Sequence, residues 1–328
     1  MQKEKPDMAV YFSRPDYLEN FLNYINDKET GLSCIGFTRD DTLISFAKEH
    51  SISLLLTDDA CFDTGLRRLK TELTIVLTED PGIRTDPDVY PVDIYQPVDA
   101  ILREILKVIS DSDIPVSPLT VRDSACIYCF TSPVGRCLKT SLAMAVSQHL
   151  SDSAPTIYLN LEPVSGFPVM TGETGESDLS DLLFFLRDEP KERYALRLGS
   201  MIRMISGVHY VFPAMNPADI TQITAEDIFR LLQASADAGY RNIVLDTGIW
   251  LSGFEAVLDR CRRILVPAVK DPVSEAKLTS LLSYLRYTGQ TALSERMQII
   301  TPPYFRELPS MASDMRGTDI GRYASGLI

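Results

Sequence analysis

Apolar positions up to residue 111 come in short runs separated by segments with helical spacing. The runs Ala9–Ser13, Leu32–Thr38, Ser53–Thr57, Leu73–Thr78 and Val92–Tyr95 predict strands. Helical spacing covers Asp16–Asn26, Asp40–His50, Gly65–Lys70 and Val98–Ser110, with Asp16 and Asp40 placed as N-caps or first-turn acids. Strands alternating with helices at this interval predict an α/β fold with a doubly wound parallel sheet.

The pattern then breaks. Asp111–Asp123 (DSDIPVSPLTVRD) is polar and carries two prolines, which marks a linker, assigned to 112–122, between a domain at 1–111 and another at 123–328. The second domain resumes the alternation. Strands are expected at Ala125–Phe130, Thr156–Asn160, Val208–Phe212, Asn242–Asp246, Arg263–Pro267 and Gln298–Thr301. Helices are expected at Thr140–Leu150, Asp178–Leu186, Ala225–Ala236, Gly253–Cys261 and Val273–Thr288. Gly166–Ser177, rich in Gly, Thr and Glu, is expected to be mobile.

Composition narrows the function classes. The 328 residues are 45% hydrophobic and 23% charged, values of an ordinary globular protein long enough for two domains. A net charge of −13 disfavours general nucleic-acid binding, which needs a basic surface to displace counterions; the Arg260, Arg262, Arg263 cluster reads as a solvated helix face. No apolar run has the roughly 18–20 residues that span a bilayer, and MQKEKPDMAVYFS lacks an apolar signal core. The six scattered cysteines form no disulfide or zinc framework, and Cys126 and Cys129 face opposite sides of a strand. A cytoplasmic setting is expected.

The chemistry concentrates in ACIYCFTSPVGRCLKTSLAMAVSQ (125–148): strand, tight loop, Lys139-Thr140-Ser141, helix. In this layout loop N–H groups and a helix N-terminus gather phosphate, the lysine reaches the terminal phosphates and the hydroxyl ligates Mg²⁺. The usual G-x-x-x-x-G-K-[ST] is incomplete, because Pro133 and Leu138 occupy its glycine places and only Gly135 remains within the loop. Two acids complete the set. Asp246 ends the strand of NIVLDTGIW, where an aspartate holds a Mg²⁺-bound water. Asn160 and Glu162 end the strand after the lysine helix, and Glu162 is placed to orient or deprotonate an attacking water.

In this order, Val134–Thr140, Asn160–Glu162 and Asp246–Gly248 resemble the loop, the D-x-D and the D-T-G-like segment of the MinD/ParA group of P-loop ATPases. The late segment ILVPAVKDPVSEAKL and the strand-loop Ile299–Tyr304, with Pro302 on the adenine side, extend the resemblance. The first domain resembles a response-regulator receiver, a flavodoxin-like fold, with Asp58 at the phosphoacceptor place and Thr78 at its Ser/Thr place. Ser13-Arg14 stands where a receiver has its acidic pair, and Gln96-Pro97 where it has Lys-Pro, so this domain is expected to dock partners rather than accept phosphate. A receiver-like domain followed by a MinD/ParA-like P-loop ATPase domain with a mostly parallel sheet is similar to the architecture of the CpaE/TadZ family, which localises Flp/Tad-type pilus assembly at a cell pole.

That resemblance implies ATP and Mg²⁺ as ligands. Gly135, Arg136, Lys139, Thr140, Ser141, Asp246 and Pro302 would bind nucleotide, Thr140 and Asp246 (through water) would bind Mg²⁺, and Glu162 and Lys139 would be catalytic. It also implies a homodimer, partners within a pilus or secretion assembly, and recruitment to a pole or a membrane-bound complex without membrane insertion. Three departures point to slow hydrolysis. Val134 stands at the group's signature lysine, with Arg136 the nearest replacement charge; Leu138 replaces a glycine that commonly takes φ > 0; and Asn160 is no base. The alternatives are a MinD/ParA-like positioning or partition ATPase, which the C-terminal DMRGTDIGRYASGLI and the acidic charge disfavour, and a nucleotide-free scaffold.

Overall fold

The computed structural model describes residues 8–27, 32–62, 66, 69–82, 89–112, 114, 125–173, 177–248, 250–309, 312 and 315–328. Most of the expected linker, 113 and 115–122, lies outside the described residues. The chain forms two compact units that are not two contiguous stretches: Pro190–Ser200 joins Met1–Thr120, and the remainder forms the second unit.

In the first unit, β1 (Met8–Tyr11), β2 (Cys34–Phe37), β3 (Leu54–Asp58), β4 (Leu73–Thr78) and β5 (Val89–Asp93) make a parallel sheet in the order β2-β1-β3-β4-β5. The inner strands MAVY, LLLTD and LTIVLT are apolar runs because both faces are covered. The edge strands β2 and β5 are half-exposed, and β5 tolerates Pro91 for that reason. Helices α1 (Pro15–Asp27), α2 (Asp40–Glu49) and α4 (Val98–Asp111) follow the predicted spacing. Ile101, Leu102, Ile105, Leu106 and Ile109 of α4 pack on Met8, Val10 and Leu54, while Leu43 of α2 packs on the opposite sheet face with Leu55 and Val76. Asp16 and Asp40 are first-turn acids; α2 is preceded by Arg39, whose side chain makes no capping bond. Half of the helix expected at Gly65–Lys70 (65, 67 and 68) falls outside the described residues, and a short helix, α3, is present at Asp59–Phe62.

The returning segment completes this unit. Leu196 enters the core containing Ile105 and Ile109. Arg193 donates to the carbonyls of Ile109 (2.8 Å), Ser110 (2.7 Å), Ser112 and Ile114 (3.2 Å), and so serves the end of α4, where carbonyls lack intrahelical partners. Arg197 pairs with Asp111 at 2.8 Å.

The second unit holds β6 (Cys126–Thr131), α5 (Lys139–Ser151), β7 (Thr156–Leu161), α6 (Phe167–Thr171) and α7 (Leu179–Asp188). After α8 (Tyr194–Met201), most of which belongs to the first unit, come β8 (Ile202–Ile205), β9 (Val208–Val211), α9 (Pro217–Thr221), α10 (Ala225–Asp237) and β10 (Asn242–Thr247). It ends with α11 (Phe254–Asp259), β11 (Arg263–Pro267), α12 (Pro272–Tyr287), α13 (Thr291–Arg296), β12 (Met297–Ile300) and α14 (Asp319–Ser325). Among the described residues the sheet order is β12-β11-β6-β10-β7-β9-β8, parallel except for β8 against β9. Strand β8 was not anticipated. Its cue is Ser206-Gly207, both at positive φ (49° and 83°), which closes a two-residue hairpin between IRMI and VHYV.

The central strands β6, β7 and β10 bring the carboxyl ends of three sequence-distant segments side by side, with Asp246 opposite both Phe130 and Asn160. Helix α5 is nearly enclosed. Helix α14 packs along it, Met315 N–H donates to Gln148 Oε1 at 2.6 Å, and Ile320 and Ala324 are fully buried. The expected mobility of Gly166–Ser177 is corrected in part. Gly166 leads into α6, and Phe167 is buried with its ring 5.0 Å from Tyr158 and 5.2 Å from Tyr210, an aromatic anchor that overrides the local Gly and Thr content. Residues 174–176 lie outside the described residues.

Two tests follow from these contacts. Arg193→Ala removes the guanidinium shared by these carbonyls and is expected to cost about 2–3 kcal/mol, seen as faster amide exchange along α4. Asp227, at the start of α10, accepts from Arg187 at 2.8 Å through both oxygens and from Thr224 at 2.9 Å. Burial alone would raise its carboxyl pKa, but these donors outweigh burial and hold it at about 2, against 3.8. The folded state therefore gains from this carboxylate above pH 3.8 and loses the gain as pH falls through 2. Asp227→Asn is expected to destabilise by about 1–3 kcal/mol at pH 7. In thermal melts the gap to the native protein narrows as the pH drops toward 2.

Candidate functional site

The loop between β6 and α5 is held from within and from β11. Ser132 Oγ donates to the Pro267 carbonyl at 2.6 Å and accepts from Val134 N–H at 3.0 Å. The buried Cys137 thiol donates to the Val134 carbonyl at 3.2 Å. With these ties the chain turns tightly enough that Arg136 (φ 58°) and Leu138 (φ 63°) both sit in the left-handed region, two of the three such non-glycine residues among those described. Each costs roughly 1–2 kcal/mol relative to an ordinary conformation. Leu138 thus takes a backbone conformation that favours glycine. It precedes α5, and its carbonyl accepts the Leu142 N–H at 2.9 Å.

A cavity of about 470 Å³ opens along this loop. Its walls include Gly135, Arg136, Lys139, Thr140, Ser141 and, from across the sheet, Glu162 and Gly248. Pro302 is not in the lining: it follows β12, the edge strand, whereas the cavity sits over the ends of β6, β7 and β10. Asp246 is not in the lining either. It lies fully buried behind Lys139.

The charges at the floor form one connected group. Lys139, 8% exposed, points its ammonium to Asp246 Oδ1 at 2.6 Å and to Glu162 Oε1. Burial alone would lower the Lys139 pKa; the carboxylates of Asp246 and Glu162 outweigh it and hold the ammonium above its ordinary value. Asp246 Oδ2 accepts from the Tyr158 hydroxyl at 2.8 Å and from Asn160 Nδ2 at 3.4 Å. Burial first, and Asp246 second, push the Tyr158 hydroxyl well above its usual range, so it stays a neutral donor. Asn160, where the pattern led one to expect an acid, holds the group together. Its amide donates to Tyr158 at 2.8 Å, and its oxygen accepts the Glu162 N–H at 3.0 Å.

Lys139, Asp246 and Glu162 form one ion-paired group, and Thr140, Ser141, Gly135 and Arg136 border the same cavity. Tyr158 and Gly248 were not anticipated. The only cue to Tyr158 is its period-2 phase with Asn160 on β7, and Gly248 is visible only as the glycine after Asp246-Thr247.

No protein-family model matches the chain, and no curated protein matches it. Solved structures of low identity are similar to it. A ParA family ATPase from Chlorobium tepidum is 18% identical with a TM-score of 0.47, over 62% of this chain and 81% of that one. A plasmid partition protein from Borrelia burgdorferi is 12% identical with a TM-score of 0.45, over 62% and 96%. Cobyrinic acid a,c-diamide synthase from Mycobacterium smegmatis is also 12% identical with a TM-score of 0.45, over 62% and 94%.

The loop conformation is testable through stability. Arg136 is exposed, so its replacement removes little packing. Arg136→Gly is expected to melt higher than Arg136→Ala by about 1 kcal/mol, the reverse of their order in a helix. An alanine variant equal to or above the glycine variant in thermal denaturation would contradict the left-handed assignment.

Proposed function

We propose that this chain is an ATP- and Mg²⁺-binding protein of the CpaE/TadZ kind, which localises a Flp/Tad-type pilus machinery as a homodimer and hydrolyses ATP slowly. The observation that carries the nucleotide reading is the position of Lys139. It opens a thirteen-residue helix, after a loop bent through two left-handed residues, on the wall of a cavity and in contact with an acid from a neighbouring strand. The residues present fit a triphosphate. The cavity is lined by the loop, and nothing lies within 4 Å of where a Gly135 side chain would begin.

In this reading Gly135, Arg136, Lys139 and Ser141 hold phosphate and Thr140 holds Mg²⁺; Asp246, buried behind Lys139 with both oxygens engaged, anchors the lysine instead of reaching the metal through water. Glu162 orients the attacking water. Bound ATP supplies a phosphoanhydride whose cleavage would reset the protein. Slow turnover accords with the state of Glu162, which is engaged with Lys139 rather than free to act as a base. Pro302, outside the cavity lining, is retained only as an adenine-side contact beyond it.

The receiver-like reading of the first unit is supported by its strand order, which is the flavodoxin-like order. Docking rather than phosphotransfer is supported by Asp58. Its Oδ2 accepts from the Ser13 N–H at 2.8 Å and hydroxyl at 2.7 Å, and its Oδ1 from the Cys61 N–H at 2.9 Å, so both oxygens have donors. Near the end of the sequence α14 is folded onto α5, with Ile320 and Ala324 buried.

Isothermal calorimetry with ATP and Mg²⁺ tests the assignment. Lys139→Ala, checked for folding by circular dichroism, is expected to weaken binding about ten- to hundredfold, as the loss of a charge-assisted phosphate contact does. An unchanged affinity would remove the loop from the site, and a native protein that binds no nucleotide would favour the scaffold reading.

A further inference from the structure

Resting on the reading of this loop as a nucleotide site, we propose that Glu162 is a built-in competitor of phosphate. It occupies the Lys139 ammonium when no nucleotide is bound, seated over the bare face of Gly248, and an incoming phosphate must displace it.

The two carboxylates on Lys139 differ in their freedom. Asp246 is fully buried and both its oxygens are engaged, one by Lys139 and the other by Tyr158 and Asn160. The Glu162 side chain is 25% exposed and forms part of the cavity wall. Of the two, Glu162 is the one that can leave. Glu162 and Lys139 both line the cavity, so the ion pair lies at its wall.

Gly248 explains why the carboxylate fits there. A Cβ at this position would lie 2.7 Å from Glu162 Cδ and 2.8 Å from Oε1, closer than side chains approach one another. Its backbone is outside the left-handed region, so conformation does not demand glycine; the space does. Asn160 aims the group, because its side-chain oxygen takes the Glu162 N–H and sets the direction of the chain as it leaves β7.

Charge sets the consequence. One ammonium faces two carboxylates, so a phosphate arriving with Glu162 in place meets an excess of negative charge. Nucleotide binding therefore includes the work of parting the Lys139–Glu162 pair, and Mg²⁺ eases it by offsetting the negative charge of the phosphate and the released Glu162. Neutralising Glu162 removes that work.

The probe is ADP, with no γ-phosphate to cleave, titrated calorimetrically into the full chain with and without Mg²⁺. Glu162→Gln keeps the size of the side chain and leaves Lys139 its Asp246 partner. It is expected to bind Mg²⁺-free ADP about tenfold more tightly than the native protein, a step between an exposed and a buried ion pair, with a smaller gain when Mg²⁺ is present. Gly248→Ala, which expels the carboxylate without changing the charge, is expected to tighten binding too, and the double variant to add nothing beyond the larger single effect. If the native protein binds ADP and Glu162→Gln binds it no better, the competitor is disproved while the nucleotide site stands. If neither protein binds ADP or ATP with Mg²⁺, the nucleotide reading itself fails and the competitor with it.

Discussion

Lys139 is the charge around which the second unit is organised. Its ammonium is the counter-ion for Asp246, a carboxylate with no exposure, and for Glu162 at the edge of the cavity. Removing one partner from such a buried pair costs about 3–5 kcal/mol, because the other is left charged without water. The lysine can be tolerated at the start of a nearly enclosed helix only because β7 and β10 deliver acids to it. The parallel register that sets Asp246 beside Asn160 is thus a condition for the loop as much as a feature of the sheet. Tyr158 and Asn160 then occupy the remaining valences of Asp246, which makes the floor of the site rigid and leaves Glu162 as its adjustable part.

The loop itself stores strain. Two residues in the left-handed region, neither a glycine, are kept there by Ser132, Cys137 and the packing of Leu138 against the core. Such strain persists where the surroundings over-determine the conformation, as they do around binding sites. The sequence departs here from the usual phosphate-loop pattern, yet the backbone does not follow the departure: Leu138 adopts the glycine-like conformation at a cost.

The first unit shows a different dependence. Its sheet and flanking helices are legible from local pattern, because MAVY, LLLTD and LTIVLT are apolar runs and α4 repeats its apolar residues at helical spacing. The contribution of Pro190–Ser200 is not legible. Arg193, Leu196 and Arg197 lie between two expected elements in the later part of the chain, and nothing in their spacing says that they serve α4. Phe167 is a comparable case. A segment of Gly, Thr and Glu reads as loose, but one ring buried against Tyr158 and Tyr210 orders the part that precedes residue 172.

By itself the sequence determined the alternation of strands and helices, the position of the loop with Lys139-Thr140-Ser141, and the acids at the ends of two later strands. These are properties of short windows, where period and residue type suffice. Tertiary structure decided what those residues do to one another. Lys139 meets Glu162 from 23 positions away and Asp246 from 107, and no local pattern encodes a contact of that separation. The space beside Gly248, the turn of Leu138 and the engagement of Glu162 are set by packing and charge once β6, β7 and β10 lie side by side.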